Sequence, residues 1–469
     1  MKSFSRTGLA ICIAFMSAAA LQARDSTGTV SVWTLEDCIG YALQNNITIR
    51  QSRLNTESAA VDIKTAKAAM FPDLSFSTSQ SVINRPYQEN STTVSGTELL
   101  LSNSSTSYSG SYGLNAQWTV FSGGRLRKTV KQDELAHRQS MLEEQTQSNS
   151  IVEAIASTYI QILYASESVN VNRNTLEVSI AQMERGKELL DAGSLSTADY
   201  AQLEAQVSND RYQLVVSRNS LADYKLQLKQ LLELEPGTEM EIAVDSLPDA
   251  AAISPLPDKM SVYEAALDTR PEILAAELAV ESSEMGIRIS RSGYYPSVIL
   301  SAGIGTNHTS GTDFTFAEQI RNGWNNSAGL TISVPIFNNR QTKSAVQKAR
   351  LQHQYSQLDL TAAQKDLYKT IEGIWLDAYS AQQQFIAAQD NVRSSGISYS
   401  LVSEQFGLGM KNTVELLTEK NNYLSARQQL LQAKYMSILN SRLLDFYAEG
   451  IVSLEQYLGS TQGQEQERK

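Results

Sequence analysis

The chain has 469 residues, of which 39 are Lys or Arg and 50 are Asp or Glu, so its formal net charge is −11. We expect no nucleic-acid partner, because phosphate binding requires clustered Lys and Arg. Hydrophobic residues make up 42% of the chain, which is enough to form a core. Only nine prolines are present, a number that permits very long helices.

The N-terminus has the pattern of an export signal. Lys2 and Arg6 precede an apolar run at 9–21, and Ala23 provides a small residue for cleavage. We therefore assign 1–23 to a signal peptide. The mature chain then keeps Cys38 alone, which excludes an internal disulfide and suits a small core residue. No later stretch has the ~18–20 apolar residues of a membrane-spanning helix.

The remaining sequence is an internal duplication. Residues 42–72 align without gaps to 266–296 at an offset of 224, whereas Phe121 with Phe337 and Gly193 with Gly409 align at 216. We predict a first repeat at 24–235, a linker or equatorial segment at 236–260, a second repeat at 261–450 and a C-terminal tail at 451–469. The difference between the offsets falls between strands, where insertions are tolerated.

Each repeat contains two segments with strand periodicity, at about 73–84 and 107–121 and at about 296–306 and 327–337. Apolar residues alternate with small, nearly uncharged ones such as Ser, Thr, Gly and Asn. This pattern favours membrane strands with a polar lumen side over a soluble sheet with one face on a core. The loops between the strands, 86–106 and 307–326, would form the exposed ends.

Four strands cannot close a barrel, and open edges do not survive in lipid. The strand count therefore predicts an oligomer. Three chains would give twelve strands, whereas two would give eight and an interior filled by side chains.

Between the strands and after them, the sequence predicts long helices at 125–190, 197–232, 342–406 and 413–447. Val207, Leu214, Leu221 and Leu228 recur at the seven-residue spacing of a coiled coil. Other apolar residues form a second row beside this one on the helix surface. Two adjacent rows fit either a closed wall of helices or an ordinary antiparallel bundle.

Signatures of catalysis and of metal binding are missing from the sequence. It contains no Gly-rich phosphate loop, no HExxH and no paired cysteines. His137, His308 and His353 lack ligand spacing; we place His308 in a loop and the other two on helices. We expect no catalytic residue, no metal site and no cofactor.

Taken in order, several short motifs resemble the TolC family of outer-membrane efflux channels. They are the opening WTLEDCIGYALQNN, the strand starts MFPDLSFS and YYPSVILS, the strand ends TVFSGGR and VPIFNNR, and the turns DAGSLSTADYAQLEAQ and GLGMKNTVELLTEKNNYL. The resemblance covers residue 33 to about 450. It implies a mainly α protein with a membrane β-barrel, four strands per chain and twelve in a homotrimer. A long coiled-coil helical tunnel would cross the periplasm.

The resemblance also implies a function. The family has no catalytic activity and works as an exit duct in the outer-membrane lipid. It receives cargo from an inner-membrane pump of the RND or ABC type through a periplasmic adaptor. Drug efflux and type I protein secretion are not separated by the sequence, because the pump selects the cargo. A soluble periplasmic adaptor or scaffold is an alternative of another class, which leaves the four lumen-type strands unexplained.

By the same resemblance, the two turns form a periplasmic tip where the channel closes and the adaptor docks. The residues assigned to the tip are Gly193, Asp199, Phe406, Gly409, Lys411, Glu415 and Thr418. Copy two of the family often carries two acids three residues apart. This chain keeps Glu415 but has Thr418 at the second position. We hypothesise that Lys411 pairs with Asp199 or Glu415 and holds the tip shut.

Overall fold

The computed structural model describes residues 32–87, 91–95, 98–102, 106–243 and 247–449. The predicted signal peptide at 1–23 and the tail at 451–469 lie outside these residues. The helices are α1 Leu35–Asn45, α2 Ile47–Ala68, α3 Arg125–Asp191, α4 Thr197–Leu231, α5 Lys259–Thr269, α6 Pro271–Arg291, α7 Phe316–Asn322, α8 Gln341–Gly407 and α9 Thr413–Glu449. The strands are β1 Val32–Trp33, β2 Asp73–Asn84, β3 Ser91–Ser95, β4 Glu98–Ser102, β5 Thr106–Ser122, β6 Glu241–Ile242, β7 Ser297–Thr309 and β8 Asn325–Ser333.

The longest helices are α3 and α8, with 67 residues each. At a rise of 1.5 Å per residue each is about 100 Å long. Both begin after a residue in the left-handed region, Gly124 at φ 74° and Arg340 at φ 66°. Neither contains proline, so the backbone hydrogen bonds continue without a break. Among the described helices, none combines the length and apolarity needed to cross a membrane.

Four strands form one antiparallel sheet in the order β2-β5-β7-β8. In its register Phe76 pairs with Leu114, and Leu114 pairs with Ile304. Most apolar residues of these strands lie at even positions and share one face, and most of the small polar residues lie at odd positions and share the other. The predicted alternation is therefore present in all four strands. Its exceptions are Ile83, Phe121 and Ile299.

Two predictions at the ends of these strands were wrong. We expected the last strand to run to about 337, but β8 ends at Ser333. Pro335 follows, and a proline has no N–H to donate to a strand partner. We also expected the inter-strand segments to be loops. Instead β3 and β4 form a hairpin and α7 lies in the second segment.

His308 was wrongly placed in a loop. It lies in β7 and is only 7% exposed. Its ring contacts Phe316 and Tyr108, with centroid distances of 4.9 and 5.1 Å. The strand extends past its predicted end because β5 continues to pair with it, a tertiary contact that local sequence does not encode.

The helices next to the sheet follow the same order as the strands. Helix α2 packs against α3, α3 against α6, and α6 against α8. Each of these helices directly precedes or follows its own strand, so the order α2-α3-α6-α8 matches β2-β5-β7-β8. Within the part of the chain that the structure describes, the sheet and the helical layer next to it therefore have open flanks, at α2 with β2 and at α8 with β8.

The main hydrophobic core lies midway along the long helices, and we call it the equatorial core. Its buried residues include Leu35, Cys38, Ile162, Leu228 and Phe385. The short strand β6 of the predicted linker pairs in parallel with β1. Residues 249–253 form a 3₁₀ helix whose Ala252 carbonyl accepts a hydrogen bond from Ser437 Oγ at 2.6 Å. The segment between the repeats is thus packed onto the helices.

Candidate functional site

The two helical hairpins, α3 with α4 and α8 with α9, end in turns of the same construction. Gly193 and Gly409 have φ of +75° and +73°, a region that glycine adopts without steric cost. Gly193 N–H donates to Leu190 O at 2.9 Å and Ser194 N–H to Leu189 O at 2.8 Å. Gly409 and Met410 make the corresponding bonds to the carbonyls of Phe406 and Gln405. Both turns are Schellman motifs, which reverse the chain sharply.

The acid in each turn occupies the third position of the following helix. Ser196 Oγ accepts from Asp199 N–H at 3.0 Å and donates to the Asp199 carboxylate at 2.6 Å. In the second hairpin, Asn412 Oδ1 accepts from Glu415 N–H at 2.8 Å, and Asn412 N–H donates to the Glu415 carboxylate at 3.3 Å. Glu415 and Asn412 therefore form a capping box, whereas Asp199 receives the backbone cap from Ser196 and bonds only to its hydroxyl in return.

Lys411 is paired with one of its two candidate partners. Its ammonium lies 2.7 Å from the carboxylate of Glu415, and both side chains are partly exposed. This hydrogen bond, with that from Asn412 N–H, lowers the pKa of Glu415. The Asp199 carboxylate instead accepts from Ser196, and the described residues show no contact between Lys411 and Asp199. The pair is local to one hairpin, because lysine and glutamate four residues apart reach each other directly.

The other two tip residues have different surroundings. Phe406 is 4% exposed and packs with Leu203 and Leu416 in a small apolar cluster, the tip cluster. Thr418 is exposed, and its hydroxyl donates to Val414 O at 2.8 Å. Phe406 therefore joins the two hairpins, while the hydrogen bond of the Thr418 hydroxyl stays within α9.

Polar contacts also connect the hairpins at the tip. Arg185 Nη2 donates to Gly407 O at 3.3 Å, and Gln182 Nε2 donates to Tyr399 Oη at 2.7 Å. The Tyr399 ring stacks on Tyr423 with a centroid distance of 5.8 Å. The end of α8 is thus held against α3 by side chains from both repeats.

Sequence reasoning missed a buried ionic network, which lies next to the tip cluster and further from the turns. Lys420 on α9 donates to Asp210 on α4 at 2.7 Å, and both are less than 5% exposed. Ser179 on α3 contacts both groups, and Gln206 Nε2 donates to Asp210 Oδ1 at 2.8 Å. Burial lowers the pKa of Lys420, and the hydrogen bond that its ammonium donates to the Asp210 carboxylate opposes that shift. Three helices from both repeats meet at this network.

A signal for this network was present in the sequence. Asp210 lies three residues after Val207 and four before Leu214. This spacing places Asp210 within the apolar stripe of the heptad pattern. A charge at such a position is buried when the stripe packs, and it then requires a partner. The partner could not be found in the same way, because it lies 210 residues further along the chain.

Comparison with known proteins agrees with the geometry. The sequence model of the outer membrane efflux protein family matches residues 38–233 and 262–445, one segment in each predicted repeat. The outer membrane efflux protein BepC of Brucella suis is 23% identical over 420 residues, covering 88% of this chain and 84% of BepC. Outer membrane protein TolC of Escherichia coli is 20% identical over 406 residues, covering 84% and 78%.

Similarity also extends to solved structures. A crystal structure of CusC superposes with a TM-score of 0.73 at 20% identity, covering 88% of this chain and 91% of that one. The fold is therefore that of the TolC-like channels, with barrel strands continued by a helical tunnel. Such channels are not enzymes, and they lie in the outer membrane of Gram-negative bacteria and extend into the periplasm. The chain belongs to the outer membrane efflux protein family.

Proposed function

We propose that three copies of this chain form the exit duct of a tripartite efflux system. The duct receives drugs or other small molecules from an inner-membrane pump through a periplasmic adaptor and releases them outside the cell. The observation that carries this proposal is the sheet with two open edges, continued by a helical layer with the same two open flanks.

The strand directions support closure by further copies. In the antiparallel order β2-β5-β7-β8, the two edge strands run in opposite directions. Strand β8 of a second copy can therefore pair with β2 in an antiparallel manner and continue the same alternation of faces. Since an exposed edge is unstable in lipid, closure is required in the membrane. Three copies give twelve strands and leave a lumen, whereas two would give a filled eight-stranded barrel.

The open flanks of the helices carry exposed apolar residues that suit the same contact. On α2, Ile47, Leu54 and Val61 are spaced by seven residues and are each more than half exposed. On α8, Leu351, Tyr355 and Leu358 are also about half or more exposed. Their exposure shows that the described part of the chain leaves both sets largely uncovered. Packing α8 of one copy against α2 of the next would bury both sets.

At the tip, the ion pair between Lys411 and Glu415 is the proposed latch, and since it lies within one hairpin it would act by fixing the closed shape of that turn. It lies at the end of the hairpin where an adaptor would reach the channel. Because exposed ion pairs contribute only about 0–1 kcal/mol each, such a latch is easily opened. We expect Lys411→Ala to raise single-channel conductance in planar bilayers and to change antibiotic sensitivity. Thr418→Ala is the control, and unchanged conductance in Lys411→Ala would disprove the latch.

The oligomeric state tests the first part of the proposal. Native mass spectrometry of the detergent-purified protein should give three chains. Leu54→Arg should shift the protein towards monomer because it places a charge in the proposed contact. Asn55→Arg, the next position on the same helix and also exposed, is the matched control. A dimer, or equal behaviour of the two variants, would contradict the arrangement.

Transport is tested by dye retention in cells. Deletion of the gene should raise retained fluorescent efflux dye, and the wild-type gene should restore export. Unchanged dye retention together with loss of a secreted protein would identify a type I secretion duct instead of a drug-efflux duct.

A further inference from the structure

A cleft with a basic lining lies where α6 ends and α8 begins, at the junction of the helices with the barrel strands. Its volume is about 600 Å³, and its lining includes Arg291, Lys343 and Arg350 together with Tyr294 and Tyr295. We call it the basic cleft. The three cations and both tyrosines are exposed, and no carboxylate lies in the lining.

The three cations have no ion-pair partner among the described residues. In this respect the second repeat differs from the first. At the offsets of the duplication, Arg291 corresponds to Lys67 and Arg350 to Glu134. In the first repeat these two form an ion pair at 3.2 Å. The second repeat has arginine at both positions, so the same location carries concentrated positive charge.

The position of the cleft follows from its counterpart in the first repeat. A similar cleft there is lined by Met70, Trp118, Val120 and Arg127, where Met70 corresponds to Tyr294 and Arg127 to Lys343. Trp118 and Val120 belong to the apolar, even-numbered face of β5, and Trp118 Nε1 donates to Met70 O at 2.8 Å. By this correspondence we place the basic cleft at the helical end of the barrel, on the side of the apolar strand face.

We propose that the basic cleft binds the headgroup of an anionic phospholipid in the periplasmic leaflet of the outer membrane. Lys343 and the two arginines would hold the phosphate, to which guanidinium groups bind in bidentate fashion. Tyr294 and Tyr295 would lie at the interface between the acyl chains and water, where tyrosine is enriched. The proposal requires the membrane location of the family, but it does not depend on the cargo of the channel or on the tip latch.

Lipid retention on the purified full-length protein tests the proposal. The detergent-solubilised protein is exposed to vesicle lipids, phosphatidylglycerol or phosphatidylethanolamine, and native mass spectrometry counts the lipids retained per chain. We expect preferential retention of phosphatidylglycerol. Replacing Arg291, Lys343 and Arg350 by Gln should weaken it by about fivefold for each cation removed.

Two further variants make the test specific. Arg350→Glu recreates the ion pair of the first repeat at Arg291, so it should fold and still lose phosphatidylglycerol retention. Replacing Lys67, Arg127 and Lys131 by Gln removes the same number of cations from the first repeat and should leave retention unchanged.

Three outcomes would overturn the proposal. The first is equal retention of both lipids by the wild-type protein, and the second is equal loss in the first-repeat control. The third is displacement of phosphatidylglycerol by millimolar inorganic phosphate, which would indicate a site for free anions and not for lipid.

Discussion

Helices α3, α4, α8 and α9 run through both the equatorial core and the tip, yet different forces stabilise the two regions. The equatorial core buries Phe385, Leu228 and Cys38 completely, among many other apolar residues. The tip cluster has only three buried apolar residues, and the ionic network of Lys420, Asp210 and Ser179 lies next to it. The free energy of apolar burial does not depend on direction, whereas a buried ion pair is stabilising only with well-aligned hydrogen bonds. We therefore expect the equatorial core to be the more rigid region and the tip to rearrange more easily.

Removing Asp210 should produce the largest effect in this comparison. Asp210→Ala leaves the ammonium of Lys420 buried without a carboxylate, which costs about 3–5 kcal/mol. We expect a lower melting temperature in detergent and faster hydrogen exchange around 420. The double variant Asp210→Leu with Lys420→Met should recover most of the loss. If the single and double variants are equally stable, the ionic network does not stabilise the helices next to the tip cluster.

Two leucine truncations compare the regions directly. Leu416 in the tip cluster and Leu228 in the equatorial core are both 0% exposed. Each change to Ala should cost about 2–5 kcal/mol through lost burial and the cavity left behind. Leu416→Ala should speed hydrogen exchange only in the two tip turns, whereas Leu228→Ala should lower the melting temperature of the whole protein. Global destabilisation by Leu416→Ala would show that the tip is not a separate unit.

Acid should loosen the tip before it affects the equatorial core. The hydrogen bonds from Lys411 and Asn412 lower the folded pKa of Glu415 from its ordinary value of 4.5. Their stabilisation is therefore complete above pH 4.5 and is lost as pH falls through the lower folded value. We expect hydrogen exchange in the first turn of α9, corrected for intrinsic rates, to increase over that interval. Glu415→Gln should show fast exchange at every pH, and a pH dependence that survives this change would refute the assignment.

The smallest effect concerns Cys38, which reports on the firmness of the equatorial core. Burial, aided by Asp37 and Glu36, raises the pKa of its thiol to about 12. At pH 8 the folded protein should therefore react with iodoacetamide at least about a hundredfold more slowly than the unfolded chain. Ser208→Cys, at an exposed position of α4, is the control for reagent access. Equal labelling of both cysteines in the folded protein would mean that the equatorial core opens readily.

The candidate site was only partly predictable. The sequence located both turns and their glycines, because the duplication aligns Gly193 with Gly409. It left two partners open for Lys411, and the structure selects Glu415. It did not reveal that Phe406 is buried between the hairpins, since the contacts of Phe406 with Leu203 come from the other repeat. The role of these residues as a gate stays a prediction.

By itself, the sequence determined the local features of this protein. The scarcity of proline allows helices of 67 residues, the period-two alternation defines the strands, and glycine with a following Ser or Asn defines each tip turn. These features depend on residues within a few positions of one another, so the sequence pattern is enough to predict them. The tertiary structure decided the strand order, the extension of β7 around His308, and the meeting of Lys420 with Asp210. Those features depend on which distant segments pack together, and packing is governed by the burial and pairing of the whole chain.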